Sequence, residues 1–150
     1  MKSATTLNDD LRRYYEAWWR AVSNKEWSWF ETHFDPNFQL FIWPGPIVCD
    51  FAEFMLLTRT ITSLSIELLE LRAVAYADFA TCLLLLRAHE TFREASEVDD
   101  ETRVVAEKAG GTLVNYYSEP TEILYASMFH LSPSGLLLLR HDTLGPPRAG

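Results

Sequence analysis

The sequence predicts an α+β fold in which three N-terminal helices pack on one strongly curved, mostly antiparallel sheet. Two observations carry this expectation. Helical periodicity dominates up to Leu64, and from Ile66 onward the texture changes to strand hairpins joined by short turns. In the first block, Leu7, Leu11, Tyr14, Trp18 and Val22 recur at helical spacing, and Tyr15 and Trp19 widen the stripe. Arg13, Glu16 and Arg20 fall on the other side. Ser23 with Glu26 three residues on is a capping-box pattern that restarts a second, short helix. Asp35-Pro36 stops that helix, because proline disfavours the helical conformation of its predecessor. An aromatic strand follows and ends at Pro44 and Pro46.

Asp50 and Glu53 form a second capping-box pattern, after which Phe51, Phe54, Met55, Leu57 and Ile61 give a third helix an apolar face. Ile66 to Tyr76 and Phe79 to Phe92 read as a long antiparallel hairpin with Ala77-Asp78 as its tight connection. Thr121 to Leu131 and Leu136 to Thr143 form a second hairpin around Ser132-Pro133-Ser134-Gly135. The runs Leu83 to Leu86 and Leu136 to Leu139 are too apolar for strands with one wet face. Either helices cover both faces, or the outer face is a subunit interface; the expectation is a homodimer. Between the hairpins, Glu94, Glu97, Asp99, Asp100 and Glu101 make an acidic loop, and Thr102 to Ala109 forms a short helix closed by Gly110-Gly111. This stretch is either a lid over a pocket or a solvated excursion.

Composition narrows the function classes. At 150 residues, 48% apolar and 23% charged, the chain reads as a single globular domain over 1–150 with a real core. A formal net charge of −8 argues against nucleic acid, which needs clustered Lys and Arg. Cys49 and Cys82 have no metal or redox spacing and read as buried thiols in a reducing compartment. Met1 to Asn8 is too short and polar for a signal peptide, and no apolar run approaches a membrane span. The expected location is therefore cytoplasmic, with no membrane partner. Aromatics reach 13%, including five tryptophans, and these either fill the core or line a cavity for a flat, greasy ligand.

The opening segment resembles the nuclear transport factor 2-like superfamily, in particular its SnoaL-like branch of small cyclases and isomerases. The likeness rests on Tyr14-Tyr15-Glu16-Ala17, the turn Ser23-Asn24-Lys25-Glu26-Trp27, and the helix end His33-Phe34-Asp35-Pro36. Gly135 to Asp142 looks like the family's final strand. As an order of elements the resemblance covers most of the chain. It implies a cone-shaped α+β barrel, and this fold hosts enzymes, binding modules and structural subunits alike. The insertion at Glu94 to Glu119 departs from it.

Motifs for phosphate loops, HExxH metal pairs and nucleophile elbows are absent. What remains are titratable groups on separate elements: His33 and Asp35, His89 and Glu90, His130, and His141 with Asp142. Strand alternation means that only one of His89 and Glu90, and only one of His141 and Asp142, can face a common cavity. The resemblance places an acid/base group near Asp142, which makes Asp142, with His89 or His130, the expected catalytic set. His141 is an alternative. Tyr14, Trp18, Trp43 and Phe54 are the expected apolar wall, and no metal or cofactor is expected. Val22-Ser23 occupies the place of the tyrosine-aspartate pair of scytalone dehydratases, so that mechanism is not carried over. The aspartate-arginine-aspartate relay of limonene-type epoxide hydrolases is not found either, although Arg72 or Arg87 could supply its middle member. The resulting expectation is a cofactor-free isomerase, cyclase or dehydratase acting on a hydrophobic polyketide- or terpenoid-like intermediate of secondary metabolism. The alternative is a non-catalytic ligand carrier or dimeric module.

Overall fold

The computed structural model describes residues 4–44, 46–117 and 119–145, so that Met1 to Ser3 of the polar N-terminal stretch lie outside them. Helix α1 spans Ala4–Ser23. Its predicted stripe is its buried face: Leu7, Leu11, Tyr14, Tyr15 and Val22 are all in the core. The break after α1 differs from expectation. Ser23 is the last helical residue, and no capping box forms with Glu26. Instead Lys25 N–H donates to Val22 O at 3.2 Å, Glu26 N–H donates to Ala21 O at 2.8 Å, and Lys25 sits at φ 57°. This is a Schellman closure, in which the backbone donors after α1 satisfy its last carbonyls rather than starting a new helix. Helix α2 is accordingly short, Ser28–His33, with Trp27 at its N-cap and no side-chain cap bond.

Strand β1 is Phe34–Ile42 and β2 is Ile47–Asp50. Helix α3, Phe51–Thr58, has the predicted capping box: Glu53 N–H donates to Asp50 Oδ1 at 2.8 Å, and Asp50 N–H donates to Glu53 Oε1 at 3.2 Å. It stops before Ile61, which opens β3 (Ile61–Ala75) instead of extending the helix. Thr60 explains the boundary, since its N–H and Oγ1 both bond Leu57 O while its own carbonyl accepts from Arg93 N–H. Strand β4 is Phe79–Phe92, and Tyr76 N–H to Phe79 O at 2.7 Å closes the Ala77-Asp78 turn.

The segment after β4 holds a 3-10 turn, Ala95–Glu97, and helix α4, Asp100–Tyr117. Asp99 Oδ1 caps α4 by accepting from Thr102 N–H at 2.7 Å. The helix does not close at Gly110-Gly111 but runs through both. Its Thr102, Val105 and Ala109 are buried, and Lys108 reaches Glu53 of α3 at 3.0 Å. The described half of the helix is therefore packed rather than a solvated excursion.

Strands β5 (Thr121–Ser132) and β6 (Gly135–Gly145) complete a six-stranded sheet of order β2-β1-β6-β5-β4-β3. All neighbours are antiparallel except β1 and β6. Gly135 has φ +125°, a conformation that L side chains rarely adopt, which fixes glycine at that turn. The sheet curves around α1, and bulges in β3 and β6 add to its twist. Its concave face carries Ala80, Cys82, Leu84, Leu86 and Ala88 of β4, all buried. On the convex face of the same strand, Leu83 is 44% exposed. The leucine runs are thus apolar on both faces, and only the inner one is fully covered by this chain.

Candidate active site

The cavity that α1 and α3 close against the concave sheet face has a volume of about 100 Å³. Its helical wall is Trp18, Trp19 and Val22 from α1 with Phe54, Leu57 and Thr58 from α3. The sheet wall is mostly aliphatic and aromatic, from Leu40, Ile61, Leu64, Ile66, Leu86 and Phe92. Into this apolar setting the sheet also sends Glu90 of β4, Tyr125 of β5 and His141 of β6.

Glu90 follows from strand parity. It is the next inward position after Ala88, pairing across β3 with Leu64, itself a cavity residue. Among the described residues its carboxyl has no hydrogen-bond partner. It is half-buried, and desolvation in this apolar setting, with no compensating bond, pushes its pKa up to about 8, so the acid form predominates at neutral pH.

His141 is held against two aromatic rings and at one nitrogen. Tyr125 stacks on it with centroids 4.8 Å apart, and Trp18 meets it edge-on at 5.4 Å. Burial pushes its pKa down to about 3, which leaves it neutral. Tyr15 O–H donates to Ser127 Oγ at 2.7 Å, and Ser127 Oγ lies 2.7 Å from His141 Nδ1. Ser127 has one proton to give and no other acceptor for it among the described hydrogen bonds, so it is assigned to Nδ1, which places the imidazole proton on Nε2. The Tyr125 phenol is kept protonated, first by burial and second by the Glu90 charge.

The expected catalytic set is corrected by this geometry. Asp142 does not reach the cavity; it lies on the convex face, where Arg140 Nε and Nη2 donate to it at 2.9 and 3.2 Å. The Arg140 guanidinium in turn stacks over Phe41 at 3.8 Å. The physical reason is a bulge in β6: Leu138 pairs with Phe129 and Arg140 with Met128, so Leu139 is an extra residue. That insertion reverses parity, turning His141 and Thr143 inward and Asp142 outward. His89 pairs with Ser65 and shares the outward register of β4, opposite to Glu90. His130 is opposite Phe79 at the far end of the sheet, with Nδ1 3.6 Å from Asp35 Oδ2. None of the three therefore joins the cavity groups.

Of the expected wall, Trp18 and Phe54 line the cavity. Tyr14 does not: its O–H donates to His33 O at 2.6 Å, and its ring packs on Trp29 and Phe129 at 5.2 and 4.9 Å. Trp43, beyond the end of β1, is also outside the lining. None of the described α4 side chains lines it. The sequence-level signal for Glu90 was its even-numbered register with the small residues Ala80, Cys82 and Ala88, which the surrounding leucine run obscures. No group of three His, Cys, Asp or Glu side chains placed to hold a metal occurs among the described residues. No described helix is long and apolar enough to cross a membrane.

Neither a protein-family model nor a curated protein matches the sequence. Solved structures do match its fold. An NTF2-like protein from Cytophaga hutchinsonii aligns at TM-score 0.67 and 9% identity, over 97% of this chain and 99% of that one. A proposed dehydratase of the NTF2-like family from Streptomyces avermitilis aligns at TM-score 0.66 and 12% identity, over 98% and 100%. The association domain of C. elegans CaMKII aligns at TM-score 0.62 and 10% identity, over 93% and 96%. The fold is therefore that of the NTF2-like proteins, and its neighbours include both a proposed enzyme and an association domain.

Proposed function

We propose that this chain is a cofactor-independent acid/base enzyme that moves a proton on a hydrophobic substrate, in isomerisation or dehydration. The observation that carries the reading is Glu90, a carboxyl aimed into an aromatic cavity with no partner among the described residues. A carboxyl that titrates near neutrality gives and takes a proton with little driving-force penalty. In its ionised form, Glu90 removes a proton from the carbon next to a carbonyl. The C–H electron pair becomes a C=C bond, and the carbonyl oxygen takes the negative charge. His141 Nε2–H supplies a preorganised donor for that oxygen in a site of low polarity. The Glu90 acid then returns the proton, either to a more distant carbon or to a departing β-hydroxyl, which leaves as water. A SnoaL-like placement agrees with this chemistry, whereas the polycyclic polyketide or terpenoid size expected from it exceeds a cavity of about 100 Å³.

The test is turnover of simple β,γ-unsaturated ketones and β-hydroxyketones, followed by the absorbance of the conjugated product. Glu90→Gln should lower the rate roughly a hundredfold or more, whereas Asp142→Asn on the convex face should leave it within about twofold. A Glu90→Gln variant as active as the parent would end the assignment.

Homodimerisation is a second, compatible proposal. It rests on the convex face, where Leu83 is 44% and Val74 55% exposed beside Leu85, Leu124 and Met128. An apolar sheet face of this kind suits a twofold partner.

A further inference from the structure

Resting on the proton-transfer reading, we infer that the ligand is a flat, uncharged, single-ring molecule bearing a carbonyl acceptor, of the size of a cyclohexenone. Size comes from the cavity, about 100 Å³. A cavity of roughly 150 Å³ accepts benzene, so one six-membered ring is the most that this smaller space takes, with its side chains adjusting, and two fused rings exceed it. Flatness comes from the lining, which combines the rings of Trp18 and Phe54 from the helices with those of Tyr125 and Phe92 from the sheet.

Charge is decided by what the lining lacks and what it holds. No Arg or Lys is among the described lining residues, and Arg72, Arg87 and Arg140 are committed to ion pairs on the outer sheet face. A bound carboxylate would lose its hydration beside Glu90 with no counter-charge. A cationic amine would find Glu90, but an ammonium only donates, so it would leave the His141 Nε2–H without an acceptor. With Ser127 donating to Nδ1, the Nε2 end of the imidazole is the donor. A buried donor needs an acceptor, and a ligand carbonyl supplies one. The same carbonyl acidifies the neighbouring C–H that Glu90 would abstract.

The experiment uses the full chain and four probes: cyclohex-2-enone, 1-tetralone, benzoate and benzylammonium. Binding is read from indole shifts of Trp18 and Trp19 in a nitrogen-15 correlation spectrum, and exchange of ring protons for deuterium is followed in the same samples. Cyclohexenone should shift both indoles, and Ser127→Ala and His141→Asn should each weaken its binding about tenfold or more, Ser127→Ala retaining the parent fold by circular dichroism. Benzoate, benzylammonium and 1-tetralone should leave the indoles unmoved at concentrations where the enone saturates. Preferential binding of either charged probe, equal binding of 1-tetralone, or no shift with the enone would overturn the ligand class. Enone binding without any deuterium exchange would instead sink the proton-transfer reading and leave the ligand class standing.

Discussion

Replacing Glu90 by glutamine keeps the shape of the side chain and removes its titration, which makes stability a direct readout of the cavity acid. The parent carboxyl titrates at about 8 when folded, against an ordinary value of 4.5. The sign follows from proton binding. Between those two values the folded chain holds a proton that the unfolded chain releases, so stability falls as pH rises. Its contribution is fully present below about pH 4.5 and is lost by about pH 8. One proton corresponds to roughly 1.4 kcal/mol per pH unit. Between pH 6 and pH 7.5 the parent should therefore lose about 2 kcal/mol relative to Glu90→Gln, whose amide does not titrate. His141 contributes equally to both proteins and cancels in the comparison. Urea denaturation of the two proteins at both pH values measures the difference. Parallel pH dependences would show that Glu90 is solvated and ordinary, and the proposed proton chemistry would lose its base. The kinetic counterpart has the opposite sign: activity should rise with pH as Glu90 ionises and level off above about pH 8.

Two further outcomes follow from the packing. Asp50→Ala removes the side-chain half of the α3 capping box, the acceptor for Glu53 N–H, and should cost about 1 kcal/mol in the same denaturation assay, with no change in the cavity signals. Leu83→Arg places a charge in the exposed apolar stripe of the convex face; if that stripe joins two copies, light scattering at micromolar concentration should show a dimer for the parent and a monomer for the variant. A parent that is already monomeric would refute the dimer.

Periodicity by itself was enough for α1, for the capping box of α3 and for both hairpins, because those features depend on neighbours in sequence: an apolar stripe every three to four residues, a side chain bonding its own helix, a turn of polar residues. It failed at Ser23 and Glu26, where the same letters that start a helix were used to finish one, since the backbone donors found the Ala21 and Val22 carbonyls first. Alternation also established that His89 and Glu90, and His141 and Asp142, must part to opposite faces. Which member turned inward was decided only in three dimensions. In β4 the choice followed from which face α1 and the core cover. In β6 it followed from one extra residue, Leu139, accommodated against the partner strand. A bulge leaves no mark on local hydrophobicity, yet it inverts every position beyond it, and that inversion separates a surface ion pair at Asp142 from a buried imidazole at His141.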